Sequence, residues 1–237
     1  MSSFLRVDLH SHTWFSADSP TSPARLVREA RAAGLDRIAV TDHGTIEGAV
    51  AARAIDPELV IVGEEIRCKG GVDLIGLYLH EPVPDGITVE EAARRIRSQG
   101  GVVYAPHPYA YLIHAEERAQ QVAEVADIIE VFNARAFYPA WNRRAALLAK
   151  ANNAAPAIGS DGHMPWEIGR VFNRVPDFSD GRSLVNALHA AEVTPAATIT
   201  PFIHVLSIAL QSVRMLLGRP HGVPLRHGGQ LKQRTTD

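Results

Sequence analysis

Apolar and polar positions alternate between two periods along this chain. Short runs rich in β-branched residues, such as "FLRVDL", "RIAV", "LVIVGEEI" and "VVYAPHP", read as strands. Between them lie segments with apolar residues at helical spacing, such as "SPARLVREARAAG" and "TVEEAARRIRSQG". Ser22 is placed to cap the first of these helices, with Pro23 at its first position and Gly34 at its end. Thr88 and Glu91 have capping-box spacing at the start of the second. A helix is predicted from about Thr45 to Ala54, and others over "ERAQQVAEVA" and "AWNRRAALLAKANN". "LVIVGEEI" and "VDLIGLYL" are joined only by "RCKGG", which predicts a hairpin. "IIEVFN" and "APAIGSDGH" complete seven strand candidates up to Ile158. This order predicts an α/β fold, with a largely parallel sheet and helices outside it.

Beyond His163 the pattern changes. "GRVFNRV" reads as one more strand and "GRSLVNALHAA" as one more helix. Thr200 is placed to cap an amphipathic helix over 201–217, whose simplest role is to pack on the wall of the domain. A homodimer contact is its alternative role, with interfacial membrane association weaker because the polar face is not especially basic. The expected domain therefore spans 1–219, followed by a flexible tail over 220–237.

Composition narrows the class without deciding the function. With 237 residues, 46% of them hydrophobic and 21% charged, the chain can bury a substantial core. A net charge of −2 gives no overall basic field for nucleic acid, and no basic stripe with interleaved aromatics suggests a long strand as partner. The single cysteine, Cys68, suits a reducing compartment, and no apolar signal core opens the chain, so the expected location is cytoplasmic. The longest apolar stretch is interrupted by His204, Gln211 and Arg214, which argues against a membrane span.

The chemistry-bearing residues cluster at strand ends. His10 and His12 follow the first strand, Asp42 and His43 the second, and Glu64 and Glu65 the third. His107 follows "VVYAP", Asn133 follows "IIEVF", and Asp161 and His163 follow "PAIGS". In barrels and open α/β sheets that rim is where active sites assemble. Histidine with Asp and Glu suits zinc, manganese or iron. No serine elbow, phosphate loop or dinucleotide fingerprint competes. Strand alternation sends Glu64 and Glu65 to opposite faces without choosing between them. Asp42 points away from His43 and reads as a supporting residue, and His80 as a surface one.

"DLHSHTWFSAD", "VTDHG", "VGEEI", "APHP", "EVFNAR" and "IGSDGHMPWEIGRV" stand in the order of the motifs of the PHP (polymerase and histidinol phosphatase) superfamily, which the chain resembles from about residue 5 to about residue 190. Its second half is similar to the variant with a PHP-associated segment, as in small metal-dependent phosphoesterases. The resemblance implies a distorted (β/α)7 barrel holding two or three divalent ions (manganese, zinc or iron) at the C-terminal ends of its strands. It further implies that His10, His12 and Asp161 hold a first ion, that Glu65 bridges it to a second held by His107, and that Asp18, His43 and His163 hold a third. Two positions depart from the pattern. Ala17 separates Ser16 from Asp18 where small phosphoesterases have "SDG", and Asn133 replaces a histidine ligand of trinuclear members.

The function implied is hydrolysis of a small phosphomonoester or a nucleotide, with a metal-bridging hydroxide attacking phosphorus. Asn133, Arg135 and Arg170 are the candidate substrate-binding residues; the two arginines would supply planar forks for the phosphate, each with pairing to a rim carboxylate as the alternative. Other classes remain open on the same residues: a metal-dependent amide or lactone hydrolase, or a non-catalytic metal-binding module.

Overall fold

The computed structural model describes residues 4–110, 115–136 and 138–191, together with 209, 212 and 213. Among the described residues the named elements are eight strands and six helices: β1 (Phe4–Asp8), α1 (Pro23–Ala32), β2 (Arg37–Val40), α2 (Glu47–Ile55), β3 (Val60–Arg67), β4 (Asp73–Leu77), α3 (Val89–Ser98), β5 (Val102–Ala105), α4 (Ala115–Ala123), β6 (Ile128–Asn133), α5 (Pro139–Ala151), β7 (Ala155–Gly159), β8 (Asn173–Pro176) and α6 (Gly181–His189). The helix at 201–217 and the tail at 220–237 lie outside the described residues, apart from 209, 212 and 213.

Local chemistry sets the helix starts. Ser22 accepts from Arg25 N at α1, and Thr88 accepts from Glu91 N at α3. At α6, Asp180 and Ser183 form a reciprocal capping box. α2 begins two residues later than Thr45, whose hydroxyl accepts from Glu47 N.

The strands lie in the order β7-β6-β5-β4-β3-β2-β1-β8. β1, β2 and β3 are mutually parallel, as are β5, β6 and β7. β4 runs antiparallel to β3, because the "RCKGG" link is too short for a crossover, and it is also antiparallel to β5 on its other side. β8 pairs antiparallel with β1. The sheet curls into a nearly closed barrel of the distorted TIM type. At its mouth Ser11 and Gly162 form a parallel bridge between the segments that follow β1 and β7.

Lower down, a side chain bridges the seam. Asn173 Oδ1 accepts from Ile158 N at 2.8 Å, and its Nδ2 donates to Val7 O and Ile158 O at 3.0 and 2.7 Å. Three buried backbone groups of β1 and β7 thus depend on one amide. Asn173→Ala is expected to cost about 3 kcal/mol, the scale of stranding buried polar groups. Urea denaturation of the variant checks this, and an unchanged midpoint would show that the seam closes without the amide.

Two apolar layers position the site. Val60, Val62, Ile66 and Val103 face α1 to α5 on the outside. Val7, Ala39, Ile61, Ile75, Tyr104, Ile128 and Ala157 fill the interior, with Leu184 and Leu188 of α6 packed beneath them. With one end filled by α6, the opposite end of the interior is left to the polar residues of the parallel strand ends.

Candidate metal centre

The loop after β1 carries His10 and His12, both fully buried. Their Nε2 atoms stand 3.1 Å apart. Glu65 reaches the same point from β3. Ile61, Gly63 and Glu65 alternate onto the inner face, whereas Glu64 turns outward and accepts from Val83 N at 2.7 Å. Glu65 Oε2 lies 3.4 Å from both His10 Nε2 and His12 Nε2 and 3.2 Å from His43 Nδ1, and its Oε1 lies 3.3 Å from His107 Nε2. Asp161 Oδ1 lies 3.6 Å from His10 Nε2, 3.3 Å from His12 Nε2 and 3.4 Å from His163 Nδ1. Asp18 Oδ2 lies 3.1 Å from His163 Nε2 and 3.5 Å from His43 Nε2.

The structure therefore brings together His10, His12, Asp18, His43, Glu65, His107, Asp161 and His163. Three overlapping sets have their donor atoms within 4.8 Å of one another: His10, His12 and Asp161; His10, Glu65 and His107; and His12, His43 and His163. Asp18 stands beside the third set through its contacts to His43 and His163.

Backbone strain helps to aim two of these side chains. His107 and Asp161 adopt φ of 53° and 50°. That left-handed region costs about 1–2 kcal/mol for a residue with a Cβ, and such strain concentrates at functional sites.

The electrostatics suit a cation at the centre. Burial pushes the His12 imidazole down to about 3, and neighbouring His163 and His43 add to that. Burial also opposes the charged form of His43 and His107, yet Glu65 with Asp18 lifts His43 to about 10 and Glu65 lifts His107 to about 9. His10 is raised well above its usual value against its burial, by Asp161 and Glu130. Glu65, Asp161 and Asp18 would be pushed up by burial, but the histidines hold all three carboxyls below their usual range. Positive charge is thus favoured among the converging carboxylates, where divalent ions could bind. His107 Nδ1 and Asp18 Oδ1 are buried with no hydrogen-bond partner, and the two facing Nε2 atoms also call for a cation between them. The donor set fits divalent metal.

The remaining candidates fall differently. Asn133 Nδ2 donates to Glu130 Oε2 at 2.8 Å and Asp161 Oδ2 at 3.3 Å, while its Oδ1 accepts from Arg135 N. Arg135 pairs with Glu167 at 3.2 Å and its Nε stands 4.0 Å from Asp161 Oδ2. Arg170 is exposed, with Nε donating to Trp166 O. It does not line the cavity beside the centre. That cavity, about 230 Å³, is bounded by His107, Asn133, Arg135, Asp161, Tyr109 and Trp141 among others. Arg144 lies over the Tyr109 ring at 4.0 Å and pairs with Glu116.

Sequence reasoning passed over Glu130, Glu167 and Ser16. Glu130 bonds His10 Nδ1 at 3.0 Å. Glu167 accepts from His163 N and Met164 N. Ser16 Oγ stands 3.3 Å from His12 Nδ1 and donates to Asp42. Only Glu130 left a signal, a carboxylate inside the apolar run "IIEVF".

Residues 8–161 match the PHP domain and residues 139–193 the PHP-associated segment. Two uncharacterized proteins of Methanocaldococcus jannaschii are relatives. One is 35% identical over 144 residues, covering 55% of this chain and 82% of the relative. The other is 31% identical over 176 residues, covering 71% and 69%. Among solved structures, the fold is similar to a two-domain protein of Bacteroides vulgatus described as containing a predicted PHP-like metal-dependent phosphoesterase. The TM-score is 0.62 at 21% identity over 79% of this chain, which spans only 63% of that protein. It is also similar to a lesion-specific endonuclease of Pyrococcus furiosus, with a TM-score of 0.59 at 14% identity over 94% of this chain and 74% of that one. With the PHP match covering more than half of its length, the chain belongs to the PHP domain family.

Proposed function

We propose that the protein is a metal-dependent phosphoesterase acting on a small phosphomonoester or a nucleotide. One observation carries this reading: Arg135 and a small cavity stand directly beside the converged donors His10, His12, Glu65, His107 and Asp161. His10, His12 and Asp161 would hold one ion, Glu65 and His107 a second with Glu65 between them, and Asp18, His43 and His163 a third. Bound ions lower the pKa of water and offset charge on phosphoryl oxygens.

The chain's own groups supply the rest. The Arg135 guanidinium, which also leans on Glu167, offers N–H donors to a phosphate oxygen. Asn133 holds Asp161 and Glu130 in place through its amide N–H bonds. Asn142 fixes Asn133 in turn, its Oδ1 accepting from Asn133 N at 3.1 Å. Tyr109 and Trp141 wall the cavity where the organic part of the substrate would sit and keep water from it. A cavity of about 230 Å³ suits a small group better than a polymer.

Purified protein supplemented with manganese should be assayed against aryl phosphates, nucleotides and small sugar phosphates, with lactones and amides in parallel. Hydrolysis of phosphomonoesters is expected. Turnover of lactones or amides without any phosphomonoester would overturn the reading. Arg135→Lys keeps a positive charge near Glu167 but loses the fork, so KM for the phosphate substrate is expected to rise about tenfold, the weight of one good charged contact. An unchanged KM would remove Arg135 from substrate binding.

A further inference from the structure

Glu130 is a carboxylate that faces the centre through His10 and to which no ion is assigned above. It sits in the middle of β6, on the inward face with Ile128, and is 1% exposed. A carboxylate at such a position requires full pairing, and Glu130 has it. Oε1 receives His10 Nδ1 at 3.0 Å and the Tyr104 hydroxyl at 2.7 Å, and Oε2 receives Asn133 Nδ2 at 2.8 Å. These partners come from the segment after β1, from β5 and from β6 itself.

The neighbouring strand is shaped around this pair. Gly159 ends β7 beside β6, and a Cβ there would overlap Glu130 Oε1 and stand 2.9 Å from His10 Cβ. Any larger residue would push the carboxylate off the imidazole.

The other face of His10 looks into the centre. Its Nε2 meets His12 Nε2, Glu65 Oε2 and Asp161 Oδ1. His12 is anchored by a weaker group, the Ser16 hydroxyl, which passes its own proton toward Asp42 Oδ1 at 2.7 Å. The two adjacent histidines therefore have unequal support, a full carboxylate for one and a hydroxyl for the other.

We propose that Glu130 is a positioning residue for the metal centre, holding the His10 proton on Nδ1 so that the Nε2 lone pair is presented to the ion. A carboxylate behind a ligating imidazole fixes its orientation and raises its basicity. Tyr104 and Asn133 hold Glu130 itself, and Gly159 makes the room. This inference rests on the reading that the histidine centre holds metal, and goes beyond it by naming the group that sets the strength of one ligand.

The test compares wild-type protein with Glu130→Gln and Tyr104→Phe. Zinc affinity is measured by competition with a chelating dye. In the zinc-loaded proteins the His10 ring is followed by 15N NMR. Glutamine keeps the shape, but its NH2 must face either His10 Nδ1–H or the Asn133 amide, so one bond is lost. Glu130→Gln is expected to bind zinc about 10–100-fold more weakly and to lose the downfield, exchange-protected Nδ1 proton of His10. Tyr104→Phe leaves the carboxylate in place and is expected to weaken zinc by a smaller factor while keeping that proton. If Glu130→Gln does not fold, Tyr104→Phe decides, and wild-type affinity together with an unshifted His10 proton would overturn the proposal. Glu130→Gln binding zinc within twofold of wild type, with the His10 proton unchanged, would overturn it as well. These failures differ from failure of the functional reading, in which the wild-type protein itself binds no divalent ion or hydrolyses no phosphomonoester.

Discussion

Asp161→Asn is expected to lower manganese-dependent hydrolysis of an aryl phosphate about a thousandfold, the scale of losing one preorganised charged group. Asp161 combines three features. Its Oδ1 lies within 3.6 Å of the ring nitrogens of His10, His12 and His163. Its backbone is left-handed at φ 50°. Its carboxyl is held below the usual range by His10, His12, His163 and Arg135, although burial acts the other way. Asparagine accepts the left-handed backbone better than other residues with a Cβ, so this variant should fold normally while offering only a neutral oxygen. Alanine would lose, besides the carboxylate itself, the local side-chain hydrogen bonding that lets Asn and Asp tolerate this backbone, and would confound the measurement. His10→Ala serves as the companion variant and is expected to be equally inactive. Circular dichroism and the activity assay together check the expectation. Wild-type turnover in both folded variants would sink the phosphoesterase reading.

The sequence made the strand-end histidines legible because β/α alternation fixes where each strand stops, and the polar types change there. His10, His12, His107 and His163 each follow a short apolar run. The choice between Glu64 and Glu65 was harder for a physical reason. β3 is buried on both faces, so Val60 and Val62 are as apolar as Ile61, and alternation alone shows no inside. Only the interior packing of Ile61 with Ala39 and Ile75 sets the parity. Asn173 was illegible as a clasp, since its role depends on β8 returning to the seam between β1 and β7, a contact spanning most of the chain. Arg135 and Arg170 show the limit of reasoning by residue type. Both follow rim segments, yet one faces Glu167 and the cavity while the other turns back along its own loop to Trp166 O.

The second large effect concerns stability. The centre packs His10, His12, His43, His107 and His163 against Glu65, Asp161 and Asp18 in a largely buried space. The folded chain presents these donors together and the unfolded chain does not, so a divalent ion would bind the folded state preferentially. At a free concentration about a thousand times its Kd, such a ligand adds about 4 kcal/mol. For a chain of this size that corresponds to a rise in Tm of about 8–16 °C. Manganese or zinc added to chelator-stripped protein is expected to produce that rise, and excess chelator to reverse it. Glu65 is the side chain common to His10, His12, His43 and His107. Glu65→Gln removes the charge that would offset an ion placed among them, so most of the rise should vanish in that variant. Differential scanning calorimetry with and without metal measures both quantities. An undiminished rise in Glu65→Gln would put the stabilising ion elsewhere, away from the space between His10 and His107, and the bridging role given to Glu65 would fall with it.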